Sequence, residues 1–256
     1  LKYVQNRRNT YFLLTLFFFI CSFLGKEQAV TLPVCLLLID YFVGRDFHNR
    51  ELWVEKISFF SLSLLGGILT ILSQGSEGEE LIYSLDYRIL FACYTTFEYM
   101  VKSFLPVNLS YIYPFPVLPE ESIPLRLWFY PIIVLTGSGM LFVYRKNKIV
   151  MFSILFLVLH VAVALHLISI SRFTIVADRY LYLGCIGTSF LTVWIFFHFI
   201  QALSEKWKRL LISACFALYL IYLGTYCFSY TKDWKDTDTL KSHVRKLIKN
   251  RENSSP

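Results

Sequence analysis

Apolar residues in this chain come in near-continuous blocks of roughly 17–23 residues, the length that crosses about 30 Å of hydrocarbon at about 1.5 Å per residue. Such a block leaves no polar face for water, which constrains the fold more than any other pattern here. The candidate spans are Thr10–Leu24, Ala29–Val43, Ile57–Leu72, Leu127–Tyr144, Ile149–Ile168, Leu181–Leu203 and Leu210–Phe228. Composition agrees: 56% of the 256 residues are apolar and 17% are charged, against about 45–50% and about 25% in a soluble domain. The expected fold is an all-α polytopic membrane protein with about seven transmembrane helices plus an interfacial helix. The six cysteines (Cys21, Cys35, Cys93, Cys185, Cys215, Cys227) sit inside apolar blocks without CxxC or CxxH spacing. That pattern lacks zinc and redox motifs and predicts buried free thiols.

Basic residues set the orientation. The net charge of +7 is explained by residues flanking spans, so no nucleic-acid partner is expected. Placing Lys2–Arg8, Arg45–Lys56, Arg145–Lys148 and Lys206–Arg209 in the cytoplasm puts Lys26, Ser73–Arg126, Ser169–Tyr180 and the C-terminal tail outside. The parity closes if the apolar stretch Ile89–Leu105 does not cross. Glu98 and Lys102, four residues apart, share a helix face and pair. An amphipathic helix over 88–105 in the outer interface is therefore expected within an external loop 73–126; an eighth crossing is the alternative. Pro106, Pro114, Pro116, Pro119 and Pro124 exclude helix and regular sheet, and predict an ordered loop rich in Tyr111, Tyr113 and Phe115. After Phe228 the chain turns polar, predicting a short external helix and a ragged end. Leu1 stands close to the first span with no recognisable signal peptide, which reads as a piece of something longer.

Ionisable groups within or between tight spans cost about 2.5–3.5 kcal/mol each and are candidate functional residues by default. Lys26, in the hairpin Gly25-Lys26-Glu27-Gln28, offers a compact cation at membrane-surface depth suited to a lipid phosphate. The bland alternative is an internal pair with Glu27. In Ala177-Asp178-Arg179-Tyr180-Leu181-Tyr182, Arg179 can hold phosphate with two parallel hydrogen bonds. Asp178 can orient it, act as acid or base, or simply cap the helix, while Tyr180 and Tyr182 also suit a membrane interface. The aromatic stretch Pro106–Pro114 follows Lys102; its tyrosines could stack on a sugar, although tyrosine is equally an ordinary interfacial residue. His160 and His166 are six apart and point away from a common face, so they make no metal pair. His160 reads as an interhelical hydrogen-bonder and His166 as a cavity residue. Asp40 reads as an interfacial anchor or interhelical hydrogen-bonder, and Gln74 is ambiguous.

In this order the segments resemble a known group. Lys26-Glu27-Gln28-Ala29-Val30-Thr31-Leu32-Pro33 followed by Leu36-Leu37-Leu38-Ile39-Asp40-Tyr41 is similar to a stretch of bacterial polytopic proteins carrying tetratricopeptide repeats. These are relatives of the transmembrane and tetratricopeptide repeat O-mannosyltransferases. Gln74-Gly75, the run Tyr99 to Pro116, Ala177–Leu183 and the exit Lys232–Leu240 fit the same pattern, so the resemblance covers nearly the whole chain. It implies the GT-C-type fold, with residues 1–228 as the C-terminal part of a transmembrane domain and 229–256 as an external polar tail leading into a repeat region.

The resemblance also implies an activity: transfer of a sugar from a polyprenyl-phosphate carrier on the external face to a protein hydroxyl or a glycan, without metal or other cofactor. Under it Lys26 and Arg179 hold the carrier phosphate, with Asp178 and Glu27 beside them. Lys102, Tyr111, Tyr113, Gln74 and Tyr180 line the sugar or acceptor side. The family's catalytic acidic residue lies in a first external loop, and no Asp or Glu here matches that motif. Catalytic residues are therefore unassigned, and catalysis by this chain alone is not expected. A bacterial inner membrane is preferred to the endoplasmic reticulum. The alternative reading is a non-catalytic scaffold or subunit that binds a lipid carrier or partner protein. A flippase would show inverted repeats and broken helices, and neither is visible.

Overall fold

The computed structural model describes residues 2–6, 8–74, 83–110, 113, 115–117, 122–165, 174–242 and 245, with Lys2, Gln5, Glu27 and Gln74 described by backbone alone. Tyr111, His166 and Gly75 lie outside the described residues. The chain divides into two compact units, Leu1–Glu80 and Leu81–Pro256. The described residues are helical, with no strand beyond an isolated antiparallel bridge between Tyr113 and Val176.

The first unit contains α1 (Lys2–Asn6), α2 (Asn9–Gly25), α3 (Leu32–Val43) and α4 (Arg50–Gln74). Between α2 and α3 the hairpin is a single 3-10 turn, Glu27–Thr31, and Pro33 follows at the start of α3, where its missing N–H costs no helix bond. Ser63 of α4 donates to the Val30 carbonyl at 2.7 Å, so the third helix satisfies the turn. At the other end of α3, Gly44 adopts a left-handed conformation (φ 83°). Its N–H donates to the Tyr41 carbonyl and the Arg45 N–H to that of Asp40, the paired bonds of a Schellman cap.

That cap folds Arg45 back over the helix it has just left. Its guanidinium grips both carboxylate oxygens of Glu55, at 2.8 and 3.1 Å, and reaches Asp40 at 3.2 Å. Lys56 closes the set, 2.7 Å from the other Asp40 oxygen. All four side chains are at most 10% exposed. Asp40, expected as an anchor or a hydrogen-bonder, is thus the hub of a buried ionic network. Two acids and two bases balance, which is how such charges survive removal from water.

The second unit contains α5 (Leu85–Phe104), α6 (Phe129–Val143), α7 (Lys148–Val161), α8 (Leu181–Ala202) and α9 (Lys206–Tyr230). α5 begins three residues before the expected 88–105 helix. The predicted Glu98–Lys102 pair is present at 3.2 Å. One stripe of α5 (Phe91, Thr95, Tyr99 and Lys102) is buried in protein, and the helix packs on α6, α7 and α8. α7 and α8 approach closely because α8 presents glycine. A methyl group on Gly187 would lie 2.5 Å from the Ser153 carbonyl oxygen, and one on Gly184 2.8 Å from Leu157. His160 bonds within its own helix, Nδ1 to the Phe156 carbonyl at 2.8 Å, and not across helices as its position suggested. The six cysteines are free, but Cys21, Cys215 and Cys227 are exposed on helix surfaces instead of buried.

Four helical stretches are long and apolar enough to cross a membrane: Arg50–Ser73, Leu125–Val143, Asp178–Ala202 and Lys206–Trp234. Three more apolar helices, Asn9–Gly25, Gln28–Val43 and Lys148–Ala164, are shorter. Of the seven expected spans, four therefore meet the length criterion.

Gly187→Ala forces backbone apart at the α7–α8 contact and should cost about 1–3 kcal/mol, seen as a lower Tm in detergent. Gly137→Ala, where a methyl meets nothing within 4 Å, should be neutral or slightly stabilising. Lys56→Met leaves Arg45 alone against the buried carboxylates of Asp40 and Glu55, one charge short of balance, and should cost about 3–5 kcal/mol, with much of the loss recovered in Asp40→Leu/Lys56→Met. An unchanged Tm for Lys56→Met would show the pair to be dispensable.

Candidate functional site

The stretch after α5 and the stretch before α8 meet in the second unit. Neither is regular structure, so each must find partners for its backbone polar groups elsewhere. Tyr99, completely buried on α5, supplies two of them: its hydroxyl accepts from the Ala177 N–H at 3.1 Å and lies 3.3 Å from the Ala177 carbonyl. Thr95, one turn earlier, donates to the Ile175 carbonyl at 3.5 Å. The Ile175 N–H donates to the Tyr113 carbonyl at 3.0 Å, and Thr174 accepts from the Tyr113 N–H at 3.1 Å. These bonds deliver Tyr113 and Asp178 to one place.

Asp178 is the centre of that place. It opens the 3-10 turn Asp178–Tyr180 that leads into α8. The helix has no side-chain cap bond at its start, so the capping alternative for Asp178 is not what the structure holds. Its carboxylate reaches across to the other loop. Oδ2 accepts the Ser110 N–H at 2.6 Å and faces the Tyr230 hydroxyl at 3.4 Å, while Oδ1 lies 3.1 Å from the Tyr113 hydroxyl. The single Tyr113 proton is shared with the Asn108 carbonyl at 2.9 Å, and the Ser110 N–H forks onto the Tyr113 oxygen at 2.7 Å. Asn108 turns the chain here with a left-handed φ of 51°, a conformation Asn tolerates better than most residues.

Lys102 completes the centre. It is 9% exposed, and its ammonium sits 4.7 Å from the Tyr113 ring centroid, held from behind by Glu98. A cation over a tyrosine face in a dry setting is favourable by up to about 2 kcal/mol. Burial, and then the adjacent Asp178 charge, push the Tyr113 phenol well above its ordinary pKa. It therefore stays a hydrogen-bond donor across the physiological range.

The structure thus brings Lys102, Tyr113 and Asp178 together, three residues separated in sequence by up to 76 positions. Arg179 lies immediately beside them, exposed, with its guanidinium 5.0 Å from the Tyr180 ring centroid. Tyr180 is half-buried and Tyr182 is 80% exposed. Lys26 belongs to the first unit. It is exposed, extended (φ −162°), and its N–H closes α2 on the Ser22 carbonyl at 2.9 Å. The Glu27 and Gln74 side chains and Tyr111 lie outside the described residues.

Sequence reasoning missed the tyrosines of α9. Tyr219 and Tyr222 donate to the carbonyls of Phe104 and Pro106 at 2.7 and 3.0 Å. Tyr226 accepts from the Leu109 N–H at 3.1 Å, and Tyr230 reaches Asp178. Their spacing of three, four and four residues marks one helix face. That signal was present in a block read only as a span. Tyr99 stands in the sequence only at the edge of the run Tyr99 to Pro116.

Among the described residues, no group of three or more His, Cys, Asp or Glu side chains could hold a metal ion. Comparison with known proteins finds no matching family model, no matching curated protein and no matching solved structure.

Chemically, the centre presents a carboxylate whose lone pairs already accept from the loop after α5 and from α9, with an exposed guanidinium one residue away. The carboxylate fixes geometry; the guanidinium is what a ligand would meet. Asp178→Asn should lower the ionisation midpoint of Tyr113, because a neighbouring negative charge no longer opposes the phenolate; burial should still hold it above an exposed tyrosine. Following 3-fluorotyrosine at position 113 by 19F NMR against pH would show this. An unchanged midpoint would mean that Asp178 does not act on Tyr113.

Proposed function

We propose that the chain is part of a multi-pass membrane glycosyltransferase-like domain that binds a polyprenyl-phosphate-linked sugar on the external face, serving protein O-glycosylation. The observation that carries this reading is the placement of exposed Arg179 at the head of the membrane-length stretch Asp178–Ala202, directly beside the ordered Lys102–Tyr113–Asp178 centre. A lipid phosphate needs a cation at the depth where hydrocarbon ends, and a guanidinium matches its oxygens with paired hydrogen bonds. The sugar then faces tyrosines, which offer flat apolar rings and hydroxyls.

Seven crossings are part of the proposal. The three shorter apolar helices coincide with the three remaining expected spans, and 16–17 residues reach about 25 Å, the low end of what crosses a bilayer. Large apolar side chains on the outer faces support a lipid surround: Leu69, Leu72, Leu135, Val143, Leu210 and Phe228 are each at least 67% exposed, an area that water-soluble domains avoid. With the basic connections in the cytoplasm, the Asp178 centre and the C-terminal tail lie outside, in a bacterial inner membrane by preference. α5, placed in the outer interface by the same parity, is the floor of the centre.

The scaffold reading is favoured by one observation: Asp178 already accepts from Ser110 and faces the Tyr113 and Tyr230 hydroxyls, which leaves it poorly suited to take a proton from an acceptor hydroxyl. The scaffold binds either a lipid carrier or a partner protein, and carrier binding is the part that can be measured for both readings. In nanodiscs, native mass spectrometry should show selective polyprenyl-phosphate binding that weakens about tenfold in Arg179→Ala, the loss of one charge-assisted contact. Lys26→Ala tests the first unit separately. Binding indifferent to both substitutions would remove the phosphate-site assignment, and sugar transfer to an acceptor would exclude the scaffold.

A further inference from the structure

Irregular backbone that is withdrawn from water must find its hydrogen-bond partners in protein. The segment after α5 is such backbone. The Phe104 carbonyl is one of the four that a helix C-terminus leaves open, and Pro106 and Leu109 follow in no regular element. Each of the three finds a tyrosine hydroxyl of α9: Phe104 with Tyr219, Pro106 with Tyr222, Leu109 with Tyr226. The fourth rung, Tyr230, meets Asp178 itself. One helix face therefore runs along the loop and ends on the carboxylate that organises the site.

α9 is otherwise loosely held. No residue of its membrane-length window is buried inside the protein. Its other notable grip is a stack of Phe216 on Phe196 of α8, with ring centroids 4.1 Å apart. A helix with an apolar outer surface and a hydroxyl ladder on its inner face can shift against its neighbours at modest cost, because lipid replaces lipid on the outside. Any such shift must carry the loop and the Tyr230 contact with it.

We infer that α9 is the positioning helix of the Asp178 centre: through Tyr222, Tyr226 and Tyr230 it holds residues 106–110 in the register that lets Ser110 and Tyr113 reach the Asp178 carboxylate. None of these tyrosines is a catalytic residue; they act through Asp178 and the loop. The consequence for ligand binding rests on the reading of this centre as a carrier site, while the positioning itself does not.

The test uses the full chain in nanodiscs with 3-fluorotyrosine at position 113, and compares Tyr226→Phe, Tyr230→Phe and their combination with Tyr219→Phe. Each substitution removes only a hydroxyl. Tyr226→Phe and Tyr230→Phe should each shift the 19F resonance of residue 113 and speed amide exchange at Ser110 about fivefold to tenfold, as expected for one lost hydrogen bond. The combined variant should do more. Tyr219→Phe, whose partner is six residues from Ser110, should leave both signals unchanged. A combined variant with wild-type resonance and exchange, even with a lowered Tm, would overturn the inference and leave the ladder a simple fastening. Carrier affinity separates the two claims. If the signals move and polyprenyl-phosphate binding weakens with them, positioning and the binding reading both stand. If the signals move while binding stays as in wild type, α9 positions the centre and the carrier-site reading fails.

Discussion

A carboxylate taken out of water must be repaid in hydrogen bonds, and Asp178 collects them from segments that the chain places far apart. Ser110 and Tyr113 arrive from the loop after α5 and Tyr230 from the end of α9, while Asp178 itself stands at the entrance to α8. Without that carboxylate the Ser110 N–H would lose its 2.6 Å acceptor, and the Tyr113 hydroxyl, which also reaches the Asn108 carbonyl, would lose its other partner. The stacking of Lys102 on Tyr113, and the exposed station of Arg179, depend on the same arrangement. Polar order in the second unit is thus concentrated around one oxygen pair, and the apolar packing of α5, α7 and α8 supplies the floor on which it rests.

The first unit handles buried charge differently. There Arg45, Lys56, Asp40 and Glu55 neutralise one another at the junction of α3 and α4, with little left over for a ligand. A balanced set of this kind contributes less to net stability than its short distances suggest, since desolvation offsets the attraction. What it enforces is register: the Gly44 cap can close in one way that lets Arg45 meet both acids. Two of the basic residues credited with orienting the chain in a membrane are therefore also internal ties. The positive-inside rule counts Lys and Arg irrespective of such pairing.

Much of this organisation was legible in the sequence. Block length and hydropathy located the helices, because backbone hydrogen bonding leaves a long apolar segment few options. The i,i+4 spacing of Glu98 and Lys102 foretold their pair, and Pro106–Pro124 foretold a stretch without helix among its described residues. Lys102, Tyr113 and Asp178 were each singled out, but not as one centre, since nothing local says that residue 178 will meet residue 110. Tertiary hydrogen bonds of high sequence separation carry no periodicity to read. The α9 tyrosines failed for another reason: in an apolar block, tyrosine reads as an interfacial residue until its hydroxyl partner is known. Asp40 and His160 show the same limit in reverse, both polar in apolar helices, one tied to charges across a turn and the other to its own backbone.

The proposed function places a lipid phosphate against Arg179 beside this centre. Its most direct test is photo-crosslinking in nanodiscs with a diazirine-bearing polyprenyl phosphate, mapped by peptide mass spectrometry. Labelling is expected to concentrate in residues 106–113 and 178–182 and to be suppressed by unlabelled carrier. Label spread along the exposed faces of α4, α6 and α9, without competition, would contradict it.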